Sequence, residues 1–302
     1  SGLGCPDWPG CYGHASPLGA QAAIAQEQSQ MPSGPVTHTK AWIEMIHRYM
    51  AMAVGGLILT LAAFAWVRRW RGDTTSGVLW PTFTLFWVCV QGAFGALTVT
   101  MKLFPLIVTL HLMGGMVLLG LLTLQVQRHR LMTQRSQSVL LRPWLYGATL
   151  LGLALLFMQV LLGGWVSTNY AVLACTGFPD CNGQWWPAWN GAAFQIWRHL
   201  GVDAAGQTLP FEALVSVHMV HRVMALIVFT YGAFMLWTFK QASVLRELSR
   251  WLAALLALQF LTGLSNVVLD WPLLAAVAHT GGAGALMMVL TWMLSRSQVR
   301  SQ

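Results

Sequence analysis

The chain has 302 residues, 56 % of them hydrophobic and only 9 % charged, and its mean hydropathy is +0.58. A soluble domain carries about 25 % charged residues, so this chain cannot cover a water-facing surface. A soluble enzyme, a disordered chain and a nucleic-acid-binding protein are excluded, and the net charge of +8 reads first as a topology signal.

Residues 1–40 read as a polar outer segment carrying Cys5 and Cys11. Seven apolar runs follow, near 41–67, 78–101, 104–126, 145–168, 213–239, 251–269 and 273–295. Each is long enough for a helix to cross about 30 Å of hydrocarbon. The runs are continuously apolar and do not alternate with period two, so helices are predicted over barrel strands. The fold class is an all-α polytopic membrane protein. Twelve of the seventeen Lys and Arg residues fall on one side of this arrangement: Arg68, Arg69, Arg71, Arg128, Arg130, Arg135, Arg142, Lys240, Arg246, Arg250, Arg296 and Arg300. The positive-inside rule makes that side cytoplasmic. The chain start, the 168–212 loop and the turns near 102 and 270 then face outward.

The outer loops hold four of the five cysteines and the cluster Trp185, Trp186, Trp189 and Trp197. The tryptophans fit an interfacial aromatic belt or a lid over a ligand. The outer compartment favours oxidation, so a disulfide is expected for Cys5/Cys11 and for Cys175/Cys181. Each bond would serve as a loop staple or as a redox-active pair. Cys89, alone in an apolar run, is expected to be a small buried residue.

An internal repeat runs through the chain. Gln91, Gly95, Val99, His111 and Gly114 align without gaps on Gln259, Gly263, Val267, His279 and Gly282, at an offset of 168. His47-Arg48 matches His221-Arg222, and the two Cys-x5-Cys pairs match in the same order. Two duplicated halves are predicted, residues 1–142 and 143–302. The second half has four spans and the first has three. The expectation is therefore an eight-helix protein, two parallel-repeat four-helix bundles, whose first helix would precede Ser1.

Five of the nine histidines fall inside apolar runs: His47, His111, His218, His221 and His279. Ionisable groups there are costly and mark function. His47 and His111 each sit about six or seven residues in from the outer end of their helices, roughly 10 Å deep. His221 and His279 repeat the placement. Two imidazoles at equal depth on facing helices can ligate one iron from both faces of a porphyrin. The sequence thus offers two bis-histidine heme-iron sites. No third ligand recurs at that depth for zinc, and no Cys-x-x-Cys-His marks covalent heme. Arg48 and Arg222 fit heme propionates or snorkel to the interface. Glu44 lies one helical turn outward from His47, where its repeat counterpart is His218. A carboxylate there can exchange protons or pair with Arg48 at i, i+4. The asymmetry suggests chemistry at the first site and a permanent cofactor at the second.

The opening Ser1-Gly-Leu-Gly-Cys-Pro-Asp-Trp-Pro-Gly-Cys11, Glu44-x-x-His47-Arg48, His111 in Leu-His-x-x-Gly, His221-Arg222 and His279 together resemble the heme A synthase family. The resemblance covers nearly the whole chain. It implies eight membrane helices and oxidation of the C8 methyl group of heme O to a formyl group, giving heme A for cytochrome oxidase. It implies heme b between His221 and His279, and the substrate heme O between His47 and His111 with Glu44 beside it as the catalytic group. It places the protein in the bacterial cytoplasmic (inner) membrane, multi-pass, with the cysteine loops on the periplasmic side. Gly92, Gly95, Gly114 and Gly115 would admit porphyrin and its farnesyl tail, or serve ordinary helix packing. Expected partners are membrane lipid, an electron donor or acceptor of unidentified kind, heme O synthase and a second copy of the chain. The competing readings are a diheme b-type electron-transfer protein linked to quinol, which needs neither Glu44 nor the cysteine pairs, and a heme carrier, which needs only one transient site.

Overall fold

The computed structural model describes residues 3–32, 34, 36–73, 77–133, 139–141, 143–239 and 246–299. Ser1 and Gly2 of the opening segment, and Arg135, Arg142, Lys240 and Arg300 of the basic set, lie outside the described residues. The helices in chain order are α1 (Gln21–Gln30), α2 (His38–Trp70), α3 (Leu79–Thr100), α4 (Pro105–Thr133), α5 (Pro143–Thr168), α6 (Phe211–Phe239), α7 (Arg246–Val268) and α8 (Leu273–Arg296). Among the described residues, α2 to α8 are seven helices long and apolar enough to cross a membrane. A three-residue parallel pair joins β1 (Val139–Leu141) to β2 (Ser297–Val299).

Local chemistry sets the helix ends. Thr37 accepts a hydrogen bond from the Lys40 amide at 3.2 Å and caps α2, so this helix starts earlier than the apolar run alone predicts. Arg68 and Arg69 occupy its last turn, where the helix dipole favours cations. Both α4 and α5 begin on proline, whose fixed φ and missing N–H suit a first turn. The short turns α3–α4 and α7–α8 share one backbone shape. Lys102 and Leu103 take φ of 50° and 59°, and Asp270 and Trp271 take 53° and 61°. Leu103 donates to Thr98 O at 2.9 Å and Trp271 to Asn266 O at 3.1 Å, the six-to-one bond that ends a helix.

The chain divides into two compact units, Ser1–Gly114 and Gly115–Gln302, with the division inside α4. The distal part of α4 packs on α8 within the second unit. The Arg130 guanidinium lies 5.0 Å from the Trp292 ring centroid, and Leu119 occupies the space a Cβ on Gly284 would need.

Helix α1 lies in the segment read as a loop. Its Ala- and Gln-rich sequence favours helix but lacks an apolar stripe, so periodicity does not mark it. Ile24 alone is buried, packing with Cys5, Cys11 and Met45. The outward helix surfaces carry exposed Leu57, Phe64, Phe86 and Leu226, as lipid contact requires. Cys89, expected to be buried, is exposed on α3. Facing lipid costs a thiol little, so burial is not enforced there.

Candidate functional site

In the first unit the Cys5–Cys11 disulfide closes a short loop with Cα atoms 4.9 Å apart. The Trp8–Pro9 bond is cis, and Tyr12 and Gly13 take φ of 50° and 75°. Cys11 and His14 exchange backbone hydrogen bonds of 2.8 and 3.0 Å, so Tyr12-Gly13 forms a type I′ turn. Asp7 accepts from the Tyr12 and Gly13 amides at 2.6 and 2.7 Å. Burial, then the charges of Glu27 and Asp7, raise the Tyr12 phenol above its ordinary pKa.

Two side chains of α2 grip this loop. Glu44 is 5 % exposed, and its Oε2 accepts from the amides of Gly4 (2.8 Å) and Cys5 (3.3 Å). Its Oε1 takes a hydrogen bond from Arg48 Nη2. Arg48 Nη1 donates to the carbonyls of Asp7 and Pro9 at 3.0 and 3.1 Å, and to that of Gly10. The carboxylate thus holds loop amides and the guanidinium holds loop carbonyls. The i, i+4 pair weighed from the sequence is formed.

The second unit builds the same cap from a different sequence. The Cys175–Cys181 disulfide has Cα atoms 4.7 Å apart, Phe178–Pro179 is cis, and Asn182 and Gly183 take φ of 56° and 81°. Cys181 and Gln184 exchange backbone bonds of 2.9 and 3.1 Å. Arg222 of α6 donates to the carbonyls of Asp180 and Gly177, both at 2.8 Å. His218 stands where Glu44 does in the first cap. It is buried, and its Nδ1 has no hydrogen-bond partner among the described residues.

Below each cap sits a histidine pair. In the first unit His47 is exposed on α2 and lies within electrostatic range of His111 on α4. His111 packs across Gly95 of α3, where an added Cβ would stand 3.4 Å from Cε1. Gln91 lies against Gly114, and Trp87 Nε1 donates to Gly114 O at 2.9 Å, which fixes α3 on α4. In the second unit His221 of α6 and His279 of α8 line one cavity with Leu156, Phe229, Leu256 and Val267. Its volume is about 230 Å³. An added Cβ on Gly163 would stand 3.0 Å from His221 Cε1, and one on Gly263 3.2 Å from His279 Cε1. Glycines thus let both imidazoles lie close to the neighbouring helix. Gln159 Nε2 lies 3.1 Å from His221 Nδ1, and Gln259 Nε2 donates to His279 O at 2.8 Å.

The structure therefore joins Glu44 to Arg48, joins each arginine to its cysteine loop, and brings His221 and His279 to one cavity. Trp185, Trp186, Trp189 and Trp197 stay exposed. The loop aromatic that does reach the cavity is Phe178, 6.5 Å edge-on to Phe260. Sequence reasoning passed over it because it sits inside the cysteine loop and not in the tryptophan cluster. The same loop region contains Arg198, 3 % exposed, whose guanidinium donates to Asn169 Oδ1 and Ala193 O and is depressed from its ordinary pKa by burial.

The sequence profile of the cytochrome oxidase assembly protein family (COX15-CtaA) matches residues 1–291. A heme A synthase of Shewanella oneidensis is 37 % identical over 294 residues, spanning 96 % of this chain and 86 % of that protein. Heme A synthases of Halalkalibacterium halodurans and Paracoccus denitrificans are 26 % and 27 % identical, over 92 % and 96 % of this chain and 82 % and 79 % of theirs.

Proposed function

The chain belongs to the cytochrome oxidase assembly protein family, and we propose that it is a heme A synthase, a multi-pass membrane enzyme that oxidises the C8 methyl group of heme O to a formyl group. Heme O is its substrate and heme A its product. The observation that carries the site assignment is the convergence of His221 and His279 on one apolar cavity beneath an arginine-held disulfide loop. The donor set suits a heme. Two imidazoles line the cavity, the other walls are mainly aliphatic and aromatic, and glycines leave the space the rings occupy.

His221 and His279 would hold heme b as a permanent cofactor in the half spanning 143–302. When bound, it supplies a one-electron redox centre. His47 and His111 would orient heme O in the half spanning 1–142, and the exposure of His47 suits a ligand that exchanges. Arg222 and Arg48 hold the cysteine loops over their sites through backbone carbonyls. Arg222 also lines the cavity, where its buried Nε, unpartnered among the described residues, is free for a propionate. Glu44 carries or moves a proton at its carboxylate one turn above His47. The protein would sit in the bacterial cytoplasmic membrane with both cysteine loops on the periplasmic face, since the basic helix ends lie on the other side. Heme O synthase is the expected supplier of substrate.

The test is to extract and identify the heme of the purified protein. Heme b together with heme O, a hydroxylated heme or heme A is expected. Heme b alone, unchanged when heme O synthase is co-expressed, would move the assignment to an electron-transfer protein.

A further inference from the structure

The two units repeat a glutamine–glycine–histidine arrangement between paired helices, and the residue just before the glycine matched at Gly95 and Gly263 differs in a way that bears on the histidine. In the second unit, Thr262 of α7 precedes Gly263. It is 8 % exposed. Its hydroxyl donates to Leu258 O, four residues back, at 2.7 Å, which uses its one hydrogen. The same oxygen lies 2.9 Å from His279 Nδ1. Gln259 O lies 3.3 Å from the same hydroxyl, so two carbonyls compete for its hydrogen, and the geometry assigns Nδ1 as the donor in the histidine contact, with the Nε2 lone pair left for iron.

At the matching register 168 residues earlier, α3 carries Phe94. A phenyl ring accepts no such bond, and His111 Nδ1 is buried without a hydrogen-bond partner among the described residues. The backbone of the matched glutamine approaches the imidazole in both units; the hydroxyl is present in only one. The rings also sit differently. Gly95 faces the Cε1–Nε2 edge of His111, whereas Gly263 faces the Cε1–Nδ1 edge of His279.

We propose that Thr262 is a positioning residue that fixes His279 in the iron-binding tautomer, and that Phe94 withholds this support from His111 so that the first site can release its heme. The proposal rests on the two-heme reading above. An acceptor on the outer nitrogen of a ligating imidazole fixes the ring and makes it a more basic ligand, and losing such a partner lowers metal affinity roughly 10- to 100-fold. A more basic ligand favours ferric over ferrous iron. A permanent cofactor gains from both effects. A substrate that must leave as product does not.

The experiment compares Thr262→Val, which keeps the side-chain shape without the acceptor, with Thr262→Ser, which keeps the hydroxyl. Two quantities are read on the purified holoprotein: the midpoint potential of heme b, and its rate of transfer to excess apomyoglobin. The Val variant should lose heme at least tenfold faster. Its potential should rise, by about 59 mV for each tenfold fall in the ferric-to-ferrous binding ratio. The Ser variant should match the native protein, which a purely steric role for Thr262 does not require. A Val variant with native potential and native transfer rate overturns the proposal. If that variant does not fold, Phe94→Thr decides: it should slow heme loss from the first site about tenfold, and an unchanged rate overturns the proposal. A native protein that holds no heme b refutes the underlying two-heme reading instead.

Discussion

The two disulfide caps are one architecture written in two sequences. Cys-Pro-Asp-Trp-Pro-Gly-Cys and Cys-Thr-Gly-Phe-Pro-Asp-Cys share only the cysteines and one proline in register. Yet both close a disulfide, place a cis proline, turn through two positive-φ residues and hang from an arginine of the helix below. Even the buttress of each turn comes from a different place. Asp7 holds the first from across the loop, whereas Asn182 lies within the second and reaches back to Thr176 N and Ala174 O. What the caps share is what a loop needs to keep its shape. What they do not share is Glu44 against His218, one helical turn before His47 and His221. The backbone of the cap is repeated while the buried polar side chain beneath it is not.

The sharpest way to break this comparison is at Glu44. Glu44→Gln keeps an oxygen to accept from Gly4 and Cys5 but removes the ionisable proton. If Glu44 works as a proton-transfer group, heme A formation should fall at least ~100-fold in the Gln variant, with heme b content unchanged. If Glu44 only anchors the loop, the Gln variant should retain most activity and Glu44→Ala should not. Heme A analysis of cells expressing each variant separates the two.

The next contrast is between the arginines. Arg222→Ala removes charge-assisted bonds to loop carbonyls, each worth about 1.5–3 kcal/mol. Arg48→Ala removes similar bonds and also leaves the buried Glu44 carboxylate without its partner, a loss of about 3–5 kcal/mol. Both should speed reduction of their own disulfide by dithiothreitol while leaving the other at its native rate, and the Arg48 variant should show the larger effect. Equal effects would mean that Glu44 and Arg48 do not depend on each other.

Most of this was open to sequence reasoning for physical reasons. Crossing a membrane forces long apolar helices, so α2 to α8 stood out from hydropathy alone, with ends shifted by caps such as Thr37. Ionisable groups in such helices are rare enough that His47, His111, His221, His279 and Glu44 marked themselves. Polar α1 escaped because a loop-borne helix holding a single buried Ile24 leaves no periodic signal. The loop-facing role of Arg48 and Arg222 escaped because their partners are backbone carbonyls, which every residue has. Thr262 escaped because the repeat was read through identities, and Thr262 matters by differing from Phe94.

The smallest contrast concerns room around the imidazoles. A Cβ on Gly95 would meet His111 Cε1 at 3.4 Å, an ordinary contact, whereas one on Gly163 would meet His221 Cε1 at 3.0 Å. Replacing a helical glycine by alanine favours the helix by up to about 1 kcal/mol. Gly95→Ala should therefore keep or slightly raise thermal stability and leave the first site working. Gly163→Ala should spend that gain on moving the His221 ring, because α5 and α6 are already in contact there and Gln159, one turn away on α5, lies against the same ring. The heme b absorption bands should shift in the Gly163 variant and stay in place in the Gly95 variant. Such a result would make the second site the more tightly fitted of the two, as a cofactor that never leaves requires. A shift of equal size in both would mean that the units differ in polar support alone and not in fit.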